Sequence, residues 1–559
     1  MTLNWLDQIG DWNPQLWREA KGRLKPRNVI IPVAISLVGQ CLLFVYFYSH
    51  LPVGKIENEV YNRYCSGSEG YSKPCLKDAA GNLVINWSLW WHDLFITLSL
   101  ISIFALLAAG TYMLISDLSK EERRSTLNFI RLSPRSAVSI LTGKLLGVPI
   151  LLYLVAVLAV PLHLWAGLSA EIPLAKIFSF YGILTASCIF FYSGALLCST
   201  VSAERGEALA WLSAGAVLVF LMLTMALAMS WAPLNSPSTW LRMFSPLDST
   251  FHLFPSSEGH IQGLLDLQWY YLPIGASVAS LVGFTLLNYG LWTYWIWQAL
   301  RRCFRNPNGT ILSKRQSYFL VTCFEVMLLG FVVQGQEAYA LSNSLAGVIL
   351  FNLLLLFSLI AILSPHRQAL IDWARYRREG GSQGKGFWNR ALVQDLIWGE
   401  KSPAVVAMAI NLAIATTLVL PWILLLQAES LDKTKTLFGV AFFVSLMLIY
   451  ATIAQLMLLI KTKKRSPRAA GTVGAAIFLP PLILGVLGIN SYENPTPWLF
   501  STFPWLGIEQ AATTTIFLAL LSEWGVLVLL NLQLTRQLRR AGESASKALF
   551  AGRPSLPAG

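Results

Sequence analysis

Long apolar runs alternate with short polar segments along the whole chain. A helix that crosses a bilayer needs about 20 mostly apolar residues, because it must span roughly 30 Å of hydrocarbon at about 1.5 Å per residue. The pattern therefore predicts an all-α polytopic membrane protein with about twelve transmembrane helices in two sets of six. The predicted spans are residues 29–48, 94–115, 145–168, 177–201, 208–229 and 272–295, then 318–333, 344–363, 405–426, 437–460, 471–489 and 511–532.

Composition agrees with this fold class and helps to orient the chain. Of 559 residues, 55% are hydrophobic and 13% are charged, whereas a soluble domain of this length needs more polar surface. Basic residues outnumber acidic ones by 42 to 29, and they concentrate in alternate short connections, which sets orientation in a membrane. We expect no nucleic-acid partner, an inner (plasma) membrane location and cytosolic termini. The basic clusters are Arg123, Arg124, Arg131 and Arg135; Arg301, Arg302 and Arg305; Arg375, Arg377 and Arg378; Lys461, Lys463, Lys464 and Arg465; and Arg536, Arg539 and Arg540.

Residues 1–28 precede the first span and have the pattern of an amphipathic helix. Asn13 and Pro14 are a favourable start, with Asn as the cap and Pro at the first helical position. Leu16, Ala20 and Leu24 then share one face, while basic residues fill the others. We predict an interfacial helix on the cytosolic side, and a plain membrane anchor is the simpler alternative.

The two sets of six spans have the same order of features and are predicted to be an internal repeat. The predicted domains are the halves 29–300 and 318–535, a cytosolic linker at 301–317 and a cytosolic tail at 536–559. Each half has a long charged segment after its second span, at 116–144 and 365–403, and each segment contains a Ser-Pro turn. Repeated halves are typical of transporters, in which the pathway lies where the halves meet.

Sequence motifs for chemistry are lacking. The chain has no G-x-x-x-x-G-K-[ST] nucleotide-binding loop, no H-E-x-x-H metal motif and no paired-cysteine metal motif. We therefore expect neither an enzyme nor a bound metal or cofactor in this chain. Energy for any uphill transport must come from elsewhere.

Cys65 and Cys75 lie in one polar loop that is predicted to face outward. Thiols outside the cytosol can oxidise, so the pair is a candidate disulfide. Spacing alone does not establish the bond, and both states stay open.

The segment after the second span resembles the signature of type 2 ABC transporter permeases, the membrane subunits of type V exporters. The run from Glu122 to Leu127, then Pro134, then Gly143-Lys144, is similar to that family's E-x-x-G-T-L run, proline turn and Gly-Lys pair. The N-terminal Asn-Pro helix also resembles the family's connecting helix. Ser125 departs from the pattern, because the family usually has Gly there. The second segment has lost the Glu and Gly-Lys wording of this pattern, since it has no E-x-x-G-T-L run before a proline turn and no Gly-Lys pair after one.

This resemblance implies a mechanism and a partner. Segment 116–144 would be a coupling segment seated in a groove of a separate ABC ATPase, two copies of which would bind ATP and magnesium. Charge pairs would set the register, and Leu127, Phe129 and Ile130 would form an apolar anchor. A solvated charged loop is the alternative. The residues assigned to coupling are Glu121, Glu122, Arg123, Arg124, Thr126, Leu127, Ile130, Pro134, Gly143 and Lys144.

Two carboxylates fall inside predicted spans. Glu325 and Glu523 would be costly in hydrocarbon, so each either faces a pathway or forms a hydrogen bond to a neighbouring helix. A secondary transporter with two six-span halves would use such residues and is the first rival function. An integral membrane enzyme, such as a lipid-linked glycosyltransferase, is the second, although acidic or His clusters at one membrane face are missing. The expected function is a permease subunit of an ABC exporter, with membrane lipids around it and its substrate unidentified.

Overall fold

The computed structural model describes residues 10–52, 61–67, 74–79, 82–202, 206–229, 234, 236–255, 264–334, 338–380, 390–425, 432–462 and 464–542. Helices dominate these residues, and the strand-like pairings among them are three isolated bridges, Cys65 with Ile85, Lys77 with Leu83 and Trp269 with Leu272. The all-α class predicted from the sequence is confirmed for this part of the chain.

The chain divides into two compact units, Met1–Pro307 and Asn308–Gly559. The division falls inside the segment 301–317 that the sequence assigns to a linker. The helices of the first unit are α1 (Pro14–Arg23), α2 (Pro26–Ser49), α3 (Trp87–Arg123), α4 (Thr126–Arg131), α5 (Ala137–Gly147), α6 (Ile150–Ser169), α7 (Leu174–Val201), α8 (Gly206–Met229), α9 (Pro237–Arg242), α10 (Pro246–Leu253) and α11 (Val278–Arg305).

Apart from α1, which has no counterpart among the described helices, the second unit has long and short helices in the same order along the chain as the first. In both units a pair of short helices precedes the last long one. The helices of the second unit are α12 (Lys314–Gly330), α13 (Ala338–Leu363), α14 (Arg367–Gly380), α15 (Arg390–Trp398), α16 (Val405–Leu425), α17 (Lys433–Leu458), α18 (Arg465–Val486), α19 (Pro495–Leu499), α20 (Trp505–Ile508) and α21 (Thr513–Ala541).

Ten helices among the described residues are long and apolar enough to cross a membrane. The chain is therefore a polytopic membrane protein, as predicted. Two of the twelve predicted spans, 272–295 and 318–333, correspond to α11 and α12, which are not among the ten. Helix α12 has only 17 residues, and α11 begins six residues later than its predicted span and ends in the basic cluster around Arg302.

The segment 116–144 is three helices rather than one connection. The predicted span 94–115 belongs to α3, which has 37 residues and continues unbroken to Arg123. The predicted span 145–168 is wrong at its start, since residues 145–147 complete α5 and α6 begins at Ile150. The break coincides with Pro149, which lacks the backbone N–H that a continuous helix needs.

Helix α3 forms the centre of the first unit. Within its most apolar stretch 56% of residues are buried, against 6% for α2. Helices α7 and α8 pack on α3 with side chains such as Tyr192 and Leu221, both fully buried. On α2, by contrast, Ile30, Ile31 and Ile35 are exposed, as expected for a helix that faces lipid.

The connections predicted to lie outside have their own internal bonds. A disulfide joins Cys65 and Cys75, whose Cα atoms are 5.3 Å apart. In the short helices before α11, the buried Arg242 donates to Asp248 through a 2.6 Å contact from Nε to Oδ2. Neighbouring Trp240 donates from Nε1 to Asn288 Oδ1 at 3.2 Å. The Arg242–Asp248 contact joins α9 to α10, and the Trp240–Asn288 bond holds α9 against α11.

Candidate functional site

A buried lysine joins three helices at one end of the first unit. Lys144, in α5, has no exposed surface. Its Nζ lies 2.8 Å from Asp117 Oδ2, 2.8 Å from Glu121 Oε2 and 3.6 Å from Glu19 Oε1. Asp117 and Glu121 belong to the end of α3 and Glu19 to α1, so one ammonium group links the N-terminal helix to the central span. We call these four residues the lysine cluster.

Two arginines of α1 complete the charge balance of the lysine cluster. Arg23 contacts Asp117 at 2.6 Å and Glu19 at 3.2 Å. Arg18 contacts Glu121 at 2.6 Å and Glu19 at 3.2 Å. Three carboxylates thus face three cations, and alternating contacts of this kind stabilise a network more than an isolated surface pair would. The three carboxylates are close enough together to suit a metal ion, but the Lys144 ammonium already supplies their positive charge.

Electrostatics keep Lys144 charged. Burial acts to lower the pKa of its ammonium group, but Asp117, Glu121 and Glu19 outweigh burial and raise that pKa above the ordinary value. A raised pKa in the folded state stabilises the fold at all pH values below the ordinary pKa of lysine, and the contribution is lost only at higher pH. Changes of pH around neutrality therefore leave Lys144 charged.

The Asn-Pro start of α1 is built as predicted and does more than cap a helix. Asn13 has extended backbone angles, and its Oδ1 accepts from the backbone N–H groups of Gln15 and Leu16 at 3.1 Å. Its Nδ2 donates to the carbonyl of Ser139, in α5, at 2.8 Å. Pro14 occupies the first helical position, where its missing N–H costs nothing. One side chain thus caps α1 and binds it to α5.

Two glycines of α5 allow α1 to lie in direct contact with it. A Cβ atom added at Gly143 would be 2.7 Å from Asn13 Oδ1 and 2.8 Å from the backbone nitrogen of Leu16. One added at Gly147 would be 2.5 Å from the Cβ of Glu19. Because positions four residues apart share a helix face, the two glycines form a surface without side chains against which α1 packs. Gly143 thus allows α1 to approach α5 closely, and the adjacent Lys144 supplies a buried charge.

A tight turn separates α3 from α4. Ser125 has φ of 57°, in the left-handed region that glycine adopts at no steric cost. This conformation accounts physically for glycine at the corresponding position of the family that the segment resembles. Thr126 Oγ1 donates to the carbonyl of Glu121 at 3.1 Å and closes the turn. Pro134 is exposed in the following turn.

The apolar residues of α4 divide between the interior and the surface. Leu127 and Ile130 are 1% and 8% exposed and belong to the core of the first unit. Helix α4 turns this face toward its own unit, and the assignment of Leu127 and Ile130 to a partner contact stays a prediction. Phe129 and Leu132 are 80% and 85% exposed. Phe129 is the one predicted anchor residue that is free to meet a partner, and the sequence analysis missed Leu132.

The remaining charges of the turn differ in exposure. Arg131 is mostly buried, lies 3.7 Å from Glu122 and donates to Asn128 Oδ1 at 3.1 Å. Arg123 lies 3.3 Å from Glu207 in an exposed pair, and Arg124 is exposed. Exposed pairs contribute little to stability, so the guanidinium groups of Arg123 and Arg124 are available to an incoming surface. Of the residues assigned to coupling, Glu121, Gly143 and Lys144 lie in the contact between α1, α3 and α5 within the first unit.

Several residues of this site were not predicted from the sequence. Glu19, Arg23, Asp117 and Gly147 all belong to the contact between α1, α3 and α5. Two signals were present in the sequence: Glu19 is an acidic residue in a basic helix, and Gly147 follows Gly143 at a spacing of four.

The second charged segment, 365–403, is held by a lysine in a different way. Lys314, the first residue of α12, is 2% exposed. Its Nζ donates to the Leu396 carbonyl at 2.8 Å, to Ser402 Oγ at 2.6 Å and to the Pro403 carbonyl at 3.0 Å. The oxygens around Lys314 are thus neutral, whereas those around Lys144 are carboxylates. The two units secure their charged segments by different electrostatics.

Lys314 gives the second unit a pH dependence that can be measured. Burial lowers the pKa of Lys314 to about 8, although Asp395 acts in the opposite direction. Between pH 8 and the ordinary pKa of lysine the unfolded chain binds the extra proton, so stability should rise with pH, by at most about 3 kcal/mol. We expect the melting temperature of the purified chain to rise from pH 7.5 to 9.5, and Lys314→Met to flatten this rise.

The matched control is Lys401→Met, since Lys401 is an exposed lysine of the same segment. The melting temperature of Lys401→Met should depend on pH in the same way as that of the unaltered chain. An identical profile for Lys314→Met and the unaltered chain would contradict the assignment.

The two intramembrane carboxylates each bind a neighbouring helix. Glu325 is fully buried and accepts from Asn352 Nδ2, in α13, at 3.4 Å. Glu523 is 4% exposed and accepts a hydrogen bond from Ser445, in α17. These contacts correspond to the structural alternative, in which each carboxyl group ties two helices together.

Comparison with known protein families, curated proteins and solved structures gives no match.

Proposed function

We propose that the chain is the membrane-spanning permease subunit of an ATP-driven exporter of the ABC type. It forms the translocation pathway and couples to separate ATPase subunits, on which ATP and magnesium bind. Its place is the inner (plasma) membrane, with both termini in the cytosol. The ten apolar helices support the membrane role, and the motifs around Lys144 support the choice of class.

One observation carries this proposal: a continuous helix runs from the middle of the first unit to the charged turn and is clamped there. Helix α3 has 37 residues, which correspond to about 55 Å at about 1.5 Å per residue. The lysine cluster fixes its end to α1 and α5. A push on the turn would therefore move the central span as a rigid rod instead of being absorbed by a flexible loop.

The exposed residues of the turn suit a protein partner. Phe129 and Leu132 present apolar side chains, and Arg124 and Arg135 are exposed beside them in the sequence. Buried aromatic anchors with arginines around them are the usual centre of a binding surface. Leu127 and Ile130 fix α4 in the core of the unit while Phe129 stays exposed. A merely solvated loop would not need this arrangement.

The second segment would receive a second ATPase copy. Its helices α14 and α15 are joined by an ion pair, 2.7 Å between Arg377 Nη2 and Asp395 Oδ2. Tyr318 also donates to the Ile397 carbonyl at 2.7 Å. Since Lys314 and Lys144 are held by different oxygens, the two ATPase contacts would differ in strength.

An ion-coupled secondary transporter is the alternative function. It is motivated by Glu325 and Glu523, which are buried carboxylates in candidate spans. Oε2 of each carboxyl group accepts a hydrogen bond from a neutral side chain of a neighbouring helix, which suits a structural role, while Oε1 of each is buried without a hydrogen-bond partner among the described residues. This alternative also assigns no role to the clamped turn. A membrane enzyme is less favoured still.

The test is affinity purification of the tagged chain from native membranes. The unaltered chain should retain a subunit whose own sequence contains a nucleotide-binding loop, and Phe129→Asp with Leu132→Asp should reduce its recovery at least tenfold, because two charges would enter an apolar contact. Both positions are exposed, so the double variant should fold normally.

Tyr492→Asp is the matched control, since Tyr492 is 71% exposed in a connection predicted to lie on the other side of the membrane. It should leave recovery unchanged. If no ATPase is recovered with any variant and an ion gradient alone drives transport, the alternative is correct. Glu325→Gln and Glu523→Gln would then be the variants to study.

A further inference from the structure

A cavity opens within the first unit, away from the charged turn. Its volume is about 370 Å³, and α3, α5, α6 and α7 provide its walls. Val157, Val160 and Ile189 at its rim are 64%, 37% and 40% exposed on helices that meet the span criteria. The opening therefore faces the hydrocarbon of the bilayer. Among the described residues that line the cavity there is no Asp, Glu, Lys or Arg.

A chain of hydrogen bonds fixes the direction of the protons at one wall. Ser99 Oγ donates to the Phe95 carbonyl at 2.9 Å, so it must accept from His163 Nε2, which lies 2.8 Å away. A charged imidazolium without a carboxylate partner would be costly here, and His163 is therefore neutral. Its Nδ1 then accepts from the Tyr181 hydroxyl at 2.8 Å. The proton of Tyr181 is thus committed to the protein.

The other tyrosine and threonine hydroxyls of the lining are committed in the same way, whereas the Ser102 hydroxyl, which also lines the cavity, forms no hydrogen bond among the described residues. Tyr153 donates to the Leu145 carbonyl at 2.9 Å and Thr185 to the Tyr181 carbonyl at 2.8 Å. Tyr192 donates to the Leu106 carbonyl at 2.8 Å. Each of these oxygens keeps a lone pair but has no proton left to offer. The cavity is therefore an apolar space whose tyrosine and threonine hydroxyls act as hydrogen-bond acceptors.

We propose that this cavity binds a neutral lipid through a hydroxyl group. The apolar lining takes the hydrocarbon, and the hydroxyl donates to an acceptor oxygen of the wall. A carboxylate or phosphate is disfavoured because no cation lines the cavity. An ester or ether can accept from Ser102, but it brings no proton for the tyrosine and threonine oxygens and so forms one hydrogen bond fewer than an alcohol. The volume lies within the range of small-molecule sites. This proposal does not depend on transport or on an ATPase.

The test uses photoreactive probes with the purified full-length chain in lipid nanodiscs. Hexadecanol with a diazirine in its chain is compared with the matching hexadecyl methyl ether and hexadecanoic acid, and mass spectrometry locates the labelled peptides. Hexadecanol should label α6 and α7 about five- to tenfold more than either analogue, the effect of one hydrogen bond in an apolar site.

Two tryptophan variants separate the cavity from the general lipid surface. Val157→Trp places an indole at the rim and should abolish the preference for the alcohol. Val219→Trp should not, since Val219 is 68% exposed on α8 and lies outside the cavity lining. Equal labelling by the alcohol and the ether, labelling confined to other helices, or a preference that survives in Val157→Trp would each overturn the proposal.

Discussion

The Lys144→Met chain is expected to lose about 3–5 kcal/mol of stability, the usual cost of removing one partner of a buried ion pair. Methionine fills a similar volume but leaves Asp117, Glu121 and Glu19 facing one another without the ammonium group that now lies within 3.6 Å of each. Thermal unfolding of the purified chain measures the loss. Affinity purification of the Lys144→Met chain should recover little of the proposed ATPase, because the end of α3 is no longer fixed to α1 and α5.

Lys120→Met provides the control for this prediction. Lys120 is an exposed lysine in the last turns of the same helix, so its loss should change stability by less than about 0.5 kcal/mol. The double variant Lys144→Met with Asp117→Asn should recover part of the stability, since it removes one of the unpaired charges. If Lys144→Met and Lys120→Met have the same melting temperature, the lysine cluster has no structural role.

Gly143→Ala is expected to cost about 1–3 kcal/mol by overpacking the contact between α1 and α5. The new Cβ would be 2.7 Å from Asn13 Oδ1 and 2.8 Å from a backbone nitrogen, and backbone cannot move aside as a flexible side chain can. Detachment of α1 is the specific result to look for. Trypsin should then cleave faster after Arg18 and Arg23, whose ion pairs would be broken.

Gly182→Ala is the matched control, because nothing lies within 4 Å of a Cβ atom at Gly182 in α7. In that open helical position alanine should be neutral or stabilising by up to about 1 kcal/mol. Equal tryptic rates and equal melting for the two alanine variants would show that α1 does not depend on Gly143.

The sequence predicted features that depend on local rules. The cap at Asn13, the helix start at Pro14 and most of the spans follow from periodicity and from the chemistry of short peptides. It was less successful with features that depend on which way a helix faces. Leu127 and Phe129 are two positions apart on α4, yet one is buried and the other exposed.

The same limit applies to the charges. A lysine next to a glycine in a basic protein suggests a surface position, and only the fold shows that Lys144 is enclosed by acids from α1 and α3. Asp117 and Glu19 are 98 residues apart in the chain, and nothing local indicates that they share one partner. The direction of the protons around His163 also requires coordinates, because it depends on which carbonyl each hydroxyl reaches.

The exposure of Phe129 and Leu132 bears on how much of this protein a cell can hold. Large apolar side chains at the tip of a charged turn attract chaperones, proteases and other copies of the chain when nothing covers them. Under the proposed function, copies made in excess of the ATPase would be short-lived or aggregated. Balanced synthesis of the two proposed subunits would then be a requirement set by two side chains.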